Sequence, residues 1–104
     1  KSSLVKAAMF GDDANWGREL CAIGYAGVKI DVNAVDVSFS SKSGEICVCK
    51  GGYGVDFSEE EAKAVLSQDE VTILINLNTG SSSATAWGCD LTYDYVKING
   101  DYRT

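Results

Sequence analysis

The chain has 104 residues, 45% of them hydrophobic and 23% charged, the make-up of one folded domain with a core of its own. Nine basic residues against fifteen acidic ones give a formal net charge of −6, which excludes nucleic acid as a partner, since phosphate binding needs clustered Lys and Arg. No apolar run approaches the roughly 18 residues of a membrane span and no signal-peptide pattern is present, so a cytoplasmic protein without a membrane partner is expected.

Leu4, Val5, Ala8 and Met9 recur at helical spacing and Gly11 stops them. The chain opens at Lys1, without Met, in what reads as the interior of that helix, so a piece of a longer polypeptide is expected. Asp12-Asp-Ala-Asn15 offers caps for a second helix with Trp16, Leu20 and Ile23 along one side, ended by Gly24 or Gly27. Within it Asn15 reads as the cap, Trp16 as a packing residue, and Arg18 as the partner of Asp12 or Asp13; the planar fork of Arg18 would also suit a substrate carboxylate. Val35–Phe39 alternates with period two and predicts a half-buried strand. Ile46–Cys49 predicts a second, which Lys50-Gly-Gly-Tyr-Gly54 turns into a hairpin or bulge.

Ser58 and Glu61 form a capping box ahead of the apolar stripe Ala62, Val65 and Leu66. The three acids Glu59–Glu61 are placed where the helix dipole favours negative charge, which explains them better than a cation site. Val71, Ile73, Ile75 and Leu77 fall on one face of a strand. Thr85-Ala-Trp87 predicts another short strand, and Asp90 caps a short helix running to about Ile98. Interspersed helices and strands joined by short hairpins make the fold class α+β, a single domain over residues 1–104.

The chain has no His, so it lacks the commonest general base and metal ligand and holds no Ser-His-Asp or Cys-His unit. Cys21, Cys47, Cys49 and Cys89 lack paired C-x-x-C knuckles, and nothing signals secretion; they read as small buried hydrophobes rather than as a zinc site or a disulfide framework. Gly51–Gly54 and Gly80–Ser83 do not match a phosphate-cradling loop and read as turns.

The last stretch, Ala84–Thr104, is unusual for a terminus because it carries Trp87, Tyr93, Tyr95 and Tyr102. Ends normally fray and carry polar residues, whereas each of these side chains offers a large apolar area and a polar tip that needs a partner. A docked tail is expected, with its free carboxylate inside a site.

This stretch closely resembles the C-terminus of the ornithine acetyltransferase (glutamate N-acetyltransferase) family of arginine biosynthesis. Ser3–Arg18, Ala22–Gly27, Cys49-Lys-Gly-Gly and Val55-Asp-Phe-Ser-Glu-Glu-Glu-Ala are similar to the same family, so the resemblance spans nearly the whole chain. Its departures are small: Ser3 and Ala14 stand where Pro is frequent, Ala7 where Thr is, and Gly100 where Ala or Ser is usual.

The resemblance implies a ubiquitin-like roll, the C-terminal domain of the family's beta chain. It implies an enzyme that moves acetyl from N-acetylornithine to glutamate, in some members also from acetyl-CoA, with no resident cofactor or metal. The partner is the alpha chain of the same enzyme, in a heterotetramer of two alpha and two beta chains. It places the nucleophilic Thr, exposed by self-cleavage, together with the oxyanion hole and a substrate-binding Glu, before Lys1. That leaves this portion inactive alone and without a catalytic residue. It assigns substrate binding to Asn99, five residues from the family's C-terminus, and to the terminal Thr104. The alternative is a non-catalytic ubiquitin-like module for interaction or oligomerisation.

Overall fold

The computed structural model describes residues 2–102. Helix α1 (Ser3–Phe10) begins at Ser2, whose hydroxyl accepts the Val5 N–H at 3.2 Å. The opening residues are therefore a capped helix start and not a helix interior. Gly11 closes α1, and Asp12 takes the positive φ of 52° that follows it. Asn15 caps α2 (Trp16–Gly24) by accepting the Arg18 N–H at 3.1 Å. A single 3-10 turn at Val32–Ala34 leads into the sheet.

Strands β1 (Asp36–Ser41), β2 (Gly44–Lys50), β3 (Tyr53–Gly54) and β4 (Thr72–Asn76) form one antiparallel sheet in the order β3-β2-β1-β4. The β2–β3 connection is Gly51-Gly52, with φ of 59° and 79°. Only Gly adopts two such angles cheaply, and this turn matches the twist of the strands it joins. Between Val37 and Ser38 the β1–β2 register slips: Val37 faces Cys49 while Ser38 faces Cys47, leaving Val48 as the extra residue of a bulge.

That bulge corrects the reading of the cysteines. Simple alternation would send Cys47 and Cys49 to the same face, but the extra residue turns Cys49 into the core beside Val48. Cys49 is buried, whereas Cys21, Cys47 and Cys89 are exposed. The small-hydrophobe reading holds for Cys49 alone, and burial pushes its thiol pKa up.

Helix α3 (Glu59–Leu66) is capped by Ser58, which accepts the Glu61 N–H at 3.2 Å. It lays Ala62, Val65 and Leu66 across β1 and β2 against Val35, Val37, Phe39, Ile46 and Val48. Trp16, Leu20 and Ile23 of α2 pack on the rim of the same core. Trp16 lies so close to β3 that a Cβ added at Gly54 would meet the indole at 2.5 Å. Val71, Ile73 and Leu77 pack inward as expected, but Ile75 stays 44% exposed, because β4 is an outer strand.

Beyond Leu77 the chain changes character. No strand forms at Thr85–Trp87, and the last helix, α4 (Tyr93–Asp101), is capped by Thr92 rather than Asp90. Thr92 accepts the Tyr95 N–H at 2.9 Å. Past the loop that follows β4, the Leu91 N–H donates to the Lys6 carbonyl at 3.1 Å, and Tyr93 meets Phe10 edge-on at 5.3 Å. The radius of gyration is 14.8 Å, against roughly 13 Å for a compact domain of this length.

Candidate functional site

Asn99 lies on α4, exposed, with its Nδ2 donating to the Tyr95 carbonyl at 2.8 Å one turn back. That bond uses one of its two N–H donors and leaves the amide oxygen available as an acceptor. Thr104 lies outside the described residues, so the pairing of Asn99 with the terminus is not addressed by them. Around Asn99, Tyr95, Val96, Ile98 and Tyr102 are all exposed, and Trp87 reaches 90%. The arm is not docked on this chain, contrary to expectation. The aromatics are there, but the surface that would receive them is not among the described residues.

The motif Asp13-Ala-Asn-Trp-Gly-Arg18 is a structural joint. Asn15 caps α2 with Oδ1 and donates from Nδ2 to Asp13 Oδ2 at 3.0 Å. Arg18 does not bond Asp12 or Asp13; its Nη1 donates to the Leu4 carbonyl at 3.1 Å and ties α2 to α1. The next residue, Glu19, is buried, and desolvation raises its carboxyl pKa from 4.5 to about 7. Sequence pattern gave no sign of it, because an acid in a first helical turn ordinarily faces water and serves the dipole.

A second carboxylate ties the sheet to its following loop. Asp36 accepts the Gly51 N–H at 2.9 Å and the Asn78 amide at 3.0 Å, which hold its pKa below the usual carboxylate range. Asn78 also donates to the Ala34 carbonyl at 2.6 Å, from a φ of 54°, a conformation Asn tolerates better than most residues. Beside this tie a groove of about 850 Å³ runs along β4. A shallower hollow of about 400 Å³ lies between the starts of α2 and α3, beside Trp16 and Phe57. Asn99 lines neither. No helix among the described residues is long and apolar enough to cross a membrane.

Comparison with known proteins agrees with the resemblance seen in the sequence. The ArgJ family model matches residues 1–104. The arginine biosynthesis bifunctional protein ArgJ 1 of Clostridium acetobutylicum is 58% identical over 103 residues, covering 99% of this chain and 25% of that protein. The glutamate N-acetyltransferase of Methanopyrus kandleri is 54% identical, covering 99% of this chain and 26% of that protein. The crystal structure of arginine biosynthesis bifunctional protein ArgJ from Bacillus halodurans superimposes with a TM-score of 0.89 at 48% identity, over 97% of this chain and 46% of that one. The chain thus spans about a quarter of the length of the curated relatives it matches. A match of this identity over all of its residues means that the chain belongs to the ArgJ family.

Proposed function

We propose that this chain is the C-terminal, substrate-site portion of a cytoplasmic acetyltransferase that moves acetyl from N-acetylornithine to glutamate. The observation that carries the reading is the 54% identity, over 99% of the chain, to a protein named glutamate N-acetyltransferase. In this reading a Thr nucleophile elsewhere in the enzyme, freed by self-cleavage, attacks the acetyl carbonyl and forms an acyl-enzyme. An oxyanion hole, also outside this chain, stabilises the tetrahedral intermediate. The chain has no His to build a second such centre, and alone it is inactive.

The role of this portion is to bind. Substrate α-amino and side-chain ammonium groups need acceptors, and the amide oxygen of Asn99 with the hydroxyl and α-carboxylate of Thr104 supply them. The exposed aromatics of the arm support this reading, since so much apolar surface calls for a counterpart on the rest of the enzyme. That counterpart is the alpha chain, in a heterotetramer of two alpha and two beta chains, and acetyl-CoA is a second acetyl donor. A ubiquitin-like roll is our description of the fold, supported by one helix, α3, crossing one face of a sheet that opens with a hairpin.

The test is steady-state kinetics on the full-length enzyme beside thermal unfolding and a gel for self-cleavage. Asn99→Ala, and separately a tag appended after Thr104, are expected to lower kcat/KM by about 10²-fold while self-cleavage and melting temperature hold. Unchanged kinetics in both variants would remove Asn99 and Thr104 from the site.

A further inference from the structure

β4 is an outer strand of the sheet, and among the described residues no strand pairs with its outer edge. Soluble proteins usually protect such an edge with a Lys, a Pro, a bulge or a covering segment, because its unpaired N–H and C=O groups recruit other chains. Thr72–Asn76 has no charged residue and no Pro, and it pairs with β1 in unbroken register. Leu74 and Ile75 are 42% and 44% exposed. The groove beside β4 is lined by Leu74, Ile75, Asn76 and Leu77, four consecutive residues, together with Val28 and Ile30, with Asp36 and Ser38 of β1, and with residues 78–84. Neighbouring residues of a strand point to opposite faces, so a groove touching all four, and Asp36 and Ser38 beside them, runs from the open face of the sheet to the edge of β4.

We propose that this edge receives an extended segment as a fifth hydrogen-bonded strand, and that the segment belongs to the part of the longer polypeptide lying outside these residues. Strand addition gives affinity through main-chain bonds and selectivity through the pockets that flank the edge. The occupant follows from length: the chain covers 46% of the crystallised Bacillus halodurans chain, so more than half of that homologous chain lies beyond the matched region. A segment tethered in the same molecule competes at a local concentration on the order of millimolar, ahead of a free partner.

The groove also sets the segment's chemistry. Val28, Ile30, Ile75 and Leu77 call for apolar side chains, while Asn76 and the hydroxyls of Ser81–Ser83 call for small polar ones in alternation. An acidic side chain is disfavoured there, because the groove's one charged residue is the carboxylate Asp36. The proposal rests on the chain being part of a longer enzyme and not on acetyl transfer, so an inactive protein with a covered β4 would fail the one reading and keep the other.

Residue-resolved amide exchange on the intact enzyme tests it. A free edge gives alternating fast and slow amides across Thr72–Asn76, since only every second N–H faces β1. A covered edge slows them all, with the outward amides protected 10³-fold or more on the order expected for an ordered strand. A photo-crosslinking residue replacing Leu74 identifies the occupant independently, and capture of a peptide from before Lys1 in the same enzyme is the expected result. Alternating exchange overturns the proposal, as does a crosslink to β4 of a second copy or to residues 85–102 of the same chain.

Discussion

The body up to Leu77 and the arm beyond it have similar aromatic and aliphatic vocabularies but opposite fates. Phe39, Val35, Val37 and Val48 are fully buried, while Trp87 is 90% exposed and Tyr93 82%. The difference is one of partners. Phe39 lies on a strand flanked on both sides and roofed by α3, so three elements from within the chain close over it. Beyond the Asn78 tie to Ala34 and Asp36, the arm meets the body through Leu91 on Lys6 and Tyr93 on Phe10. Aromatic content along a segment is therefore no guide by itself to burial within the same chain.

Truncation is the most direct way to break this comparison. Phe39→Ala is expected to cost about 3–5 kcal/mol, because it empties a site sealed by neighbours that cannot collapse into it. Urea unfolding measures this, and a loss below about 1 kcal/mol would mean that the body is not the cooperative unit. A smaller loss comes at the hinge of the β2–β3 turn. A Cβ on Gly52 would strike the Val32 carbonyl at a φ of 79°, so Gly52→Ala is expected to destabilise by about 2–3 kcal/mol.

Glu19 sharpens the comparison through pH. Burial raises its folded-state pKa from 4.5 to about 7, so between those values the folded protein holds a proton the unfolded chain has released. The contribution is fully present below pH 4.5, falls away as pH rises to about 7, and is flat above. Glu19→Gln should abolish that slope and raise stability above pH 7 by about 1–2 kcal/mol. Denaturation midpoints across pH 4–8 check it, and an unchanged slope would show that the carboxylate is solvated. The smallest effect is reserved for the arm: Trp87→Ala in this chain should stay within about 0.5 kcal/mol. In the full-length enzyme the same substitution should cost about 3 kcal/mol or more if the arm is docked there.

Local signals were legible where a few adjacent residues settle the matter. Ser58 and Asn15 cap the helices they were expected to cap, and the Gly51-Gly52 turn closes the hairpin it predicts. Arg18 was misassigned because Asp12 and Asp13 are nearer in sequence, whereas the Leu4 carbonyl is nearer in space once α1 and α2 fold together. For the site, Asn99 could be singled out only by resemblance; its own surroundings on α4 are a helical hydrogen bond and solvent.

The sequence by itself determined helix caps, turn chemistry, strand periodicity and family membership, since each depends on residues a few positions apart or on their order along the chain. Tertiary structure decided the rest. The bulge at Val48 chose which cysteine is buried, the sheet order left β4 on the outside with Ile75 half in water, and the packing of α2 buried Glu19. Those outcomes depend on which distant segments come to lie together, and burial is a property of neighbours in space that no local pattern encodes.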